Sequence, residues 1–479
     1  MNIYYFFKKN AVVIYLAFFF CVFSFGRAFS VMHLGPVYIT EIFLLLMIFL
    51  LTDKFMAIFK LPNIFMLFSI CFLILLFLHT VIAFIRCDIL ALRDMAIFSY
   101  IIFLPITFIL FSQKNRLKIF LWTLLAANIL GLVLGRILLY RSYNIPAWTE
   151  FITQAKAFNY LLYYGISLSF YTSFFDLIIK QKKQIFYLII FLCIFNIYML
   201  IFWGLRTAWI ALFVLSLFAL CVSKWRKIIK YLPLLVCFFL AFSIISLTLN
   251  DSKDIKAGII DSKMSSMFFL FKTLLNKSVN PGATASDPGK DKDLNPAKQL
   301  PPKNTPTSGL NESFLAVAGS TRNQDFKNSF ASLKWRFDIW DATMKTSSKS
   351  IIFGKGFGYW PITAMPTTEI TANMKIKPVH NHILTIFYKM GFLGLFLFLL
   401  INVYVFLFAF RHLKQTNSLF IKSFLTGALG SFIFWHTMAF FFDVIDSPPT
   451  SIFLWIIIGL IFACVEADKQ ITASTYEKV

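Results

Sequence analysis

The sequence predicts an all-α polytopic membrane protein with about 12 transmembrane helices and one large outer loop. Of its 479 residues, 59% are hydrophobic and only 14% are charged, whereas about a quarter of an average soluble domain is charged. Long uninterrupted apolar runs recur along the chain, as in membrane helices and unlike the alternating strands of a membrane barrel. Basic residues are distributed unevenly between the segments that separate these runs, which orients the spans.

The apolar runs predict twelve spans, each of roughly the length that a bilayer requires. Nine lie within 1–249 and three within 382–465, and a cytoplasmic tail covers 466–479. The predicted spans are 11–26, 35–51, 61–85, 92–111, 117–140, 158–179, 185–203, 207–222, 228–249, 382–410, 421–442 and 448–465. The first run follows Lys8 and Lys9 as a signal peptide would, but no good cleavage site follows it, so we interpret it as an uncleaved anchor.

The short loops predict that both termini are cytoplasmic. With the N-terminus inside, 19 basic residues fall in inside segments and 7 fall in or beside the short outside loops, the bias that membrane proteins show. The outside set is mostly arginine, whereas the inside set is mostly lysine. Arginine is the better residue for a bidentate grip on phosphate. The net charge of +23 therefore has two parts. The inner basic residues orient the spans, and the outer arginines indicate an anionic membrane substrate and not nucleic acid.

One long loop, 250–381, is predicted to lie outside. Its segment 276–311 is rich in polar residues and proline and nearly free of large apolar side chains, so it is predicted to be disordered. Apolar residues at helical spacing then predict an amphipathic helix over 330–346, packed on the membrane face or on the spans. Its apolar stripe is Leu333, Phe337, Trp340 and Met344. The cysteines show no disulfide framework or metal-binding spacing, so no metal site is predicted.

The sharpest local pattern lies at the end of this loop and the start of the tenth span. It reads His380-Asn381, nine residues, and then Gly391-x-x-Gly394. A histidine at the outer membrane boundary can take or give a proton near neutral pH. A glycine pair at this spacing is expected to let another helix approach closely. His380 is therefore the candidate general base.

This motif resembles that of the O-antigen ligase family (WaaL type), which shares a broader profile with O-antigen polymerases and bacterial protein O-oligosaccharyltransferases. Three further segments are similar to stretches of that family: 204–209 (GLRTAW), 334–340 (KWRFDIW) and 353–358 (FGKGFG). The resemblance covers about 200–400 and the twelve-span plan, and it implies a GT-C-like glycosyltransferase with a periplasmic loop. The insertion at 276–311 departs from the family and makes the loop longer than expected.

The resemblance implies transfer of a polysaccharide from undecaprenyl pyrophosphate to a hydroxyl of lipid A-core, at the periplasmic face of a Gram-negative inner membrane. His380 would be the base for a direct, inverting displacement, and Arg206 and Arg336 would hold the pyrophosphate. Neither a metal nor another cofactor is required, because the leaving group already carries the energy. Secondary candidates are Arg27, Arg86, Arg93, Arg136, Asn381, His382, Lys389 and Asp443.

Three other functions stay open at this point. The first is an O-antigen or capsule polymerase, whose acceptor is another lipid-linked repeat. The second is a protein O-oligosaccharyltransferase, although such proteins usually carry a longer C-terminal region. The third is a 12-span transporter of a lipid-linked or anionic solute. The single long loop after the ninth span and the lack of an evident inverted repeat disfavour the transporter.

Overall fold

The computed structural model describes most of the predicted spans and the end of the long loop. The described residues are 3–30, 32–34, 37–87, 94–95, 98–142, 157–178, 183–202, 206–222, 336–358, 379–441 and 448–476. The chain divides into two compact units, Met1–Phe238 with Asp338–Val479, and Phe239–Phe337. Only residues 336 and 337 of the second unit are described, so the following account concerns the first.

The described chain is almost entirely helical. Its α-helices are Ile3–Lys9, Ala11–Phe25, Arg27–Ser30, Ile39–Leu51, Asn63–Cys87, Phe103–Phe111, Lys114–Ser142, Ala157–Ile178, Lys183–Phe202, Arg206–Val222, 336–347, His382–Gln415, Leu419–Phe441 and Pro448–Tyr476. Its 3-10 helices are Thr52–Lys60, Tyr100–Ile102 and Ser348–Ser350. The strands His33–Leu34 and Val37–Tyr38 form a small antiparallel pair in which His33 faces Tyr38.

Six of the described helices are long and apolar enough to cross a membrane. They are Ile39–Lys60, Asn63–Ile85, Lys114–Leu134, His382–Gln415, Leu419–Phe441 and Pro448–Ala473. Shorter apolar helices cover Ala11–Phe25, Tyr100–Phe111, Gln184–Leu200 and Thr207–Ala219. These helices are consistent with the predicted all-α polytopic membrane protein. The count of twelve spans stays a prediction, because span 228–249 lies outside the described residues, as does the predicted disordered segment 276–311.

The last helix, Pro448–Tyr476, lies at the centre of this unit. Its apolar window is 94% buried, against 28–67% for the other candidate spans. Gly459 allows it to approach the helix Phe103–Phe111, because a Cβ at this position would come within 2.7 Å of the Leu104 carbonyl oxygen. The other spans expose large apolar side chains such as Phe77, as lipid-facing helices do.

Glycines also let the helix Leu419–Phe441 pack closely on Ala157–Ile178. A Cβ on Gly427 would come within 2.7 Å of the Phe170 ring, and one on Gly430 would come within 3.2 Å of Ser169 in the same neighbouring helix and within 3.1 Å of Leu215 in the helix Arg206–Val222. Lipid tails are as apolar as leucine, so helices in a bilayer associate chiefly through close packing at such small residues. This glycine pair therefore forms a flat helix–helix interface.

Three charged pairs join the terminal segments to one end of the unit. They are Lys8–Asp53 at 3.1 Å, Lys60–Glu466 at 3.8 Å and His412–Asp468 at 3.0 Å. The first two share the 3-10 helix Thr52–Lys60, and the last two share the end of the last helix. Pairs near the surface contribute little stability, but these show that both terminal segments reach the same end, as an even number of crossings requires. That this end is cytoplasmic stays a prediction from the basic residues.

Candidate active site

His380 stands just before the helix that carries the motif, in a strained backbone conformation. Its φ of 54° lies in the left-handed region, and it is the one non-glycine residue with positive φ among those described. Histidine tolerates this region better than most residues, yet the conformation costs roughly 1–3 kcal/mol. Such strain persists only where the surroundings hold the residue, and it clusters at functional sites. The His380 side chain is half-buried.

Asn381 fixes the start of the helix immediately after His380. Its side-chain Oδ1 accepts hydrogen bonds from the N–H groups of Ile383 and Leu384, at 2.9 and 3.2 Å. Asparagine is among the best N-cap residues because it satisfies N–H groups that have no partner inside the helix. Asn381 therefore positions His380 and is itself only 4% exposed.

The helix His382–Gln415 is broken at Gly391, where φ is 67° and ψ is −169°. The rings of His382 and Phe398 lie 5.9 Å apart, although a straight helix of this length would separate the two residues by about 24 Å. The chain therefore turns sharply. The segment 382–390, which we call the motif helix, folds back beside the first turns of the long helix 392–415.

This break corrects the predicted span 382–410. The sequence predicts one continuous helix with His380 at its outer end, whereas the long helix begins only at Phe392. Because the His382 ring reaches that of Phe398, the start of the motif helix lies about 9 Å along the long helix from Phe392. Hydropathy averages over a window and cannot detect a reversal made by one glycine between two apolar segments.

The turn 350–358, which we call the bracing loop, fills the break at Gly391. Its four hydrogen bonds to the break are Lys355 N–H to the Tyr388 carbonyl at 2.7 Å, Gly356 N–H to Lys389 at 2.9 Å, Phe392 N–H to Ile351 at 2.7 Å and Leu393 N–H to Ile352 at 3.1 Å. Helix ends leave carbonyl and N–H groups unsatisfied. The loop provides donors for the end of the motif helix and acceptors for the start of the long helix.

Glycines make this close approach possible. Gly354, Gly356 and Gly358 all have positive φ, between 72° and 89°, so this segment forms a tight turn. A Cβ on Gly354 would overlap the Gly391 amide, and a Cβ on Gly391 would overlap the Ile352 carbonyl. Gly391 therefore makes room for the bracing loop. The spacing of the glycine pair had instead predicted the close approach of another helix.

Lys389, at the end of the motif helix, forms a buried ion pair with Asp94. The two side chains are only 1% and 6% exposed. The other carboxylate oxygen of Asp94 accepts a hydrogen bond from the Gly358 N–H at 2.9 Å. Asp94 thus joins the motif helix to the bracing loop. Lys389, one of the secondary candidates, is thus paired with an acid in this structure.

The helix 336–347 lies against the segment that carries His380. The Nε1 of Trp340 donates a hydrogen bond to the Val379 carbonyl at 2.9 Å. The buried side of this helix carries Ile339, Thr343 and Ser347, whereas Phe337 and Met344 are 54% and 50% exposed. The amphipathic helix is thus present, but the side that packs on the protein is next to the predicted apolar stripe.

The first turn of the helix Arg206–Val222 presents polar groups that lack partners. The Oγ1 of Thr207 and the Nε1 of Trp209 are buried, and neither has a hydrogen-bond partner among the described residues. Backbone N–H groups of a first helical turn also lack partners within the helix, and the helix dipole favours an anion there. This turn begins at Arg206 and is suited to hold an anionic group.

A comparison with known families agrees with this geometry. A family model described as O-antigen ligase matches residues 189–399. The match contains the Arg206 turn, the bracing loop, His380 and both motif glycines. Residues 189–399 are therefore similar to O-antigen ligases. The family predicted from the His-Asn motif is therefore confirmed, while no curated protein matches the chain.

The other candidate arginines lie mostly near the ends of helices. Arg336 begins the described helix 336–347 and belongs to the second unit. Arg27 begins a short helix, while Arg86 and Arg136 lie towards the ends of their helices. Arg93 and Asp443 lie outside the described residues. The pyrophosphate-binding roles of these arginines therefore stay predictions.

His382, a secondary candidate base, is 2% exposed and belongs to a polar cluster that also includes His436 and Asn402. Its ring lies 5.8 Å from that of His436, and His436 Nε2 lies 3.1 Å from the Asn402 Oδ1. These side chains come from the motif helix, the long helix and Leu419–Phe441. The cluster is therefore a separate polar site beside the motif, with surroundings unlike those of the half-buried His380.

Sequence reasoning missed Asp94 and the role of the bracing loop in the ligase motif. Asp94 lies 295 residues before Lys389, and no spacing relates two residues across so much chain. The glycine-rich segment 353–358 was visible in the sequence as a stretch similar to the family, but its close approach to Gly391 was not. A lysine in an apolar segment was the available signal, since a buried charge requires an opposite charge nearby.

Proposed function

We propose that the protein is a glycosyltransferase of the O-antigen ligase type. It would move a polysaccharide from undecaprenyl pyrophosphate to a hydroxyl of lipid A-core on the periplasmic side of the inner membrane. The observation that carries the proposal is His380, held in a strained conformation between the Asn381 cap and the Trp340 contact, within the matched ligase domain. The reaction needs a base at a defined position, and these contacts provide one.

In the proposed reaction, His380 accepts the proton of the acceptor hydroxyl as its oxygen attacks the anomeric carbon of the donor sugar. The bond between that carbon and the pyrophosphate oxygen breaks, and undecaprenyl pyrophosphate leaves. Attack opposite the leaving group inverts the anomeric configuration. General base catalysis contributes about 10²–10⁴-fold, and stabilisation of the departing charge is usually the larger contribution.

The leaving pyrophosphate requires donors and positive charge. The Arg206 turn supports this role, because the buried polar groups of Thr207 and Trp209 lie in the first turn of a helix, where the backbone N–H groups favour an anion. Arg206 and Arg336 carry the charge in the proposal. A helix start, hydroxyl and indole give directional hydrogen bonds, whereas arginine gives bidentate contacts to phosphate oxygens.

A polymerase of the same membrane family is the second candidate function. The matched domain and the His380 geometry support it equally, because the donor and the displacement are the same and only the acceptor differs. Protein O-oligosaccharyltransferase and transporter activities have no specific support from the described residues.

Deleting the gene and examining the envelope glycans separates these functions. A ligase deletion accumulates long polysaccharide on undecaprenyl pyrophosphate and leaves bare lipid A-core. A polymerase deletion leaves lipid A-core that bears a single repeat. Normal glycans with a lost solute uptake would instead support the transporter.

His380→Asn tests the base in the complemented deletion strain. Asparagine tolerates the left-handed backbone but cannot act as the base, so transfer should fall by about 10²-fold or more with unchanged protein level. His380→Ala and Arg206→Ala should likewise lose transfer. His412→Ala, at the opposite end of the long helix, is the matched control and should remain active. Full activity in His380→Asn would exclude the base assignment.

A further inference from the structure

The bracing loop exposes three consecutive large apolar side chains. Ile351, Ile352 and Phe353 are 52%, 61% and 57% exposed. Exposed apolar residues are ordinary when they occur singly, whereas a contiguous patch marks contact with another molecule or with a membrane. Lys355 is the only charged residue of 350–358, and a lysine beside an apolar surface can extend its ammonium group to a polar interface. The patch therefore requires a partner, and the neighbouring helices indicate which one.

The span Asn63–Cys87 shows how deep in the molecule the loop lies. The buried ring of Phe357, in the loop, lies 6.3 Å from the ring of His79. The candidate membrane span continues to Ile85, which is six residues and about 9 Å beyond His79. Ile82 and Ile85 are 49% and 79% exposed, as lipid-facing side chains are. Lipid-facing surface thus extends past the level of the loop.

The long helix borders the loop on another side. The N–H groups of Phe392 and Leu393 donate to the carbonyls of Ile351 and Ile352, at 2.7 and 3.1 Å. Phe392 and Phe396 are 58% and 46% exposed, and their rings stack 5.9 Å apart. Both residues belong to a candidate membrane span. The exposed patch of the loop therefore adjoins the lipid-facing side of the long helix.

The loop also meets the requirement that a bilayer places on irregular backbone. Hydrocarbon offers no water to N–H and C=O groups, so non-helical backbone is tolerated at membrane depth only where protein groups satisfy it. The paired N–H groups are those of Gly354, Lys355, Gly356 and Gly358, and the paired carbonyls are those of Ser350, Ile351 and Ile352. Asp94, which accepts the Gly358 bond, is itself paired with Lys389, as a charge at this depth requires.

We propose that the bracing loop lies within the outer leaflet of the membrane, with Ile351, Ile352 and Phe353 against lipid acyl chains. The partner is lipid hydrocarbon, because lipid-facing surfaces of two spans flank the loop and its backbone is satisfied as hydrocarbon demands. This contact fixes the depth of the chain reversal at Gly391 and, through the motif helix, the depth of His380. The inference requires the membrane setting and does not rest on the proposed reaction.

Spin labelling of the full chain in lipid nanodiscs tests the proposal. The label is attached to Ile352→Cys or Phe353→Cys after the seven natural cysteines are replaced by alanine. Collisions with oxygen, which concentrates in hydrocarbon, are compared with collisions with a water-soluble nickel chelate. Both labels should favour oxygen, as should Val403→Cys on an exposed part of the long helix. Asn417→Cys, in the connection between Gln415 and Leu419, is the aqueous reference and should favour nickel.

Two further measurements do not depend on labelled cysteines. Phosphatidylcholine with a diazirine at the end of one acyl chain should crosslink to the peptide that contains 351–353 in the natural protein. Ile352→Asp should lower the unfolding midpoint in nanodiscs, because a carboxylate is costly in hydrocarbon, whereas Ile352→Met should leave it unchanged. Asn417→Asp is the matched control for the added charge and should also leave the midpoint unchanged.

Nickel collisions at Ile352 as frequent as those at Asn417 would place the loop in water and overturn the proposal. Few collisions with either reagent and no lipid crosslink would show that another part of the chain covers the patch, which also overturns it. So would an unchanged midpoint in Ile352→Asp. None of these readouts involves transfer, so their failure leaves the proposed function standing, and full activity in His380→Asn would leave the lipid contact standing.

Discussion

Two glycine pairs with the same spacing have different structural roles in this molecule. Gly427 and Gly430 lie in an unbroken helix and let a neighbouring helix approach. Gly391 and Gly394 belong to the ligase motif, but Gly391 has a positive φ and turns the chain back on itself. A Cβ on Gly394 would overlap Met390 across that turn. The first pair forms a helix–helix contact surface, and the second pair lies at a reversal of the chain.

The difference shows how a motif can be read wrongly from its spacing. Small residues three apart predict close approach in both cases, and close approach occurs in both. At Gly427 the partner is a helix whose apolar side chains fill the space. At Gly391 the partner is the backbone of the bracing loop, which satisfies the exposed helix ends with four hydrogen bonds. The chain reversal at Gly391 depends on the backbone conformation of the glycine itself. Gly391 should therefore tolerate substitution less well than Gly427, which only makes room for a neighbouring helix.

Gly391→Ala should have the largest effect. Alanine is strained at positive φ, and its Cβ would overlap the Ile352 carbonyl, so the bracing loop must move and His380 with it. A displacement of about 1 Å in a catalytic group can cost 10²-fold in rate, so transfer should fall at least that far. Gly356→Ala is the control: it carries the same type of φ strain, but its Cβ would meet nothing within 4 Å. Equal losses in both variants would mean that backbone strain alone explains the motif glycine.

Lys389→Met should have the next largest effect, because it leaves Asp94 buried without its partner. Removing one partner of a buried ion pair costs about 3–5 kcal/mol, which thermal unfolding in detergent would report as a lower midpoint. The double variant Asp94→Asn with Lys389→Met removes both charges and keeps an acceptor for the Gly358 N–H, so it should recover most of the lost stability. If the double variant is as unstable as the single one, the charge pair is not what joins the loop to the motif helix.

Gly427→Ala should have the smallest effect of the three. Its Cβ would meet the Phe170 ring at 2.7 Å and the Ser173 hydroxyl at 2.8 Å, side-chain atoms that can shift, while the nearest backbone atom, the Phe170 Cα, lies at 3.0 Å and has to give only slightly. Overpacking of this kind costs about 1–3 kcal/mol, so the unfolding midpoint should fall while transfer per folded molecule is retained. A loss of transfer as large as that of Gly391→Ala would show that the two glycine pairs are equivalent after all.

Much of the site was predictable because its chemistry is carried by residue types. The His-Asn pair indicated a base and the Arg206 segment indicated a phosphate contact; both lie in the matched range, and their roles stay predictions. Asn381 as a cap and Asp94 as a partner were not predictable. Capping depends on where a helix begins, and ion pairing depends on which distant segments meet. Which side of the helix 336–347 packs on the protein was not predictable either, because tertiary packing selected the side with Ile339 and Thr343.

By itself, the sequence determined the membrane setting, the helical class and the family of the motif, since these follow from hydrophobic content, continuous apolar runs and local spacing. Tertiary structure decided that the tenth predicted span turns at Gly391, that Lys389 is paired with Asp94, and that Thr207 and Trp209 are buried without partners among the described residues. Each of these depends on groups far apart in the chain. The free energy of a backbone reversal, a buried charge or an unpartnered nitrogen depends on the groups that folding places around it.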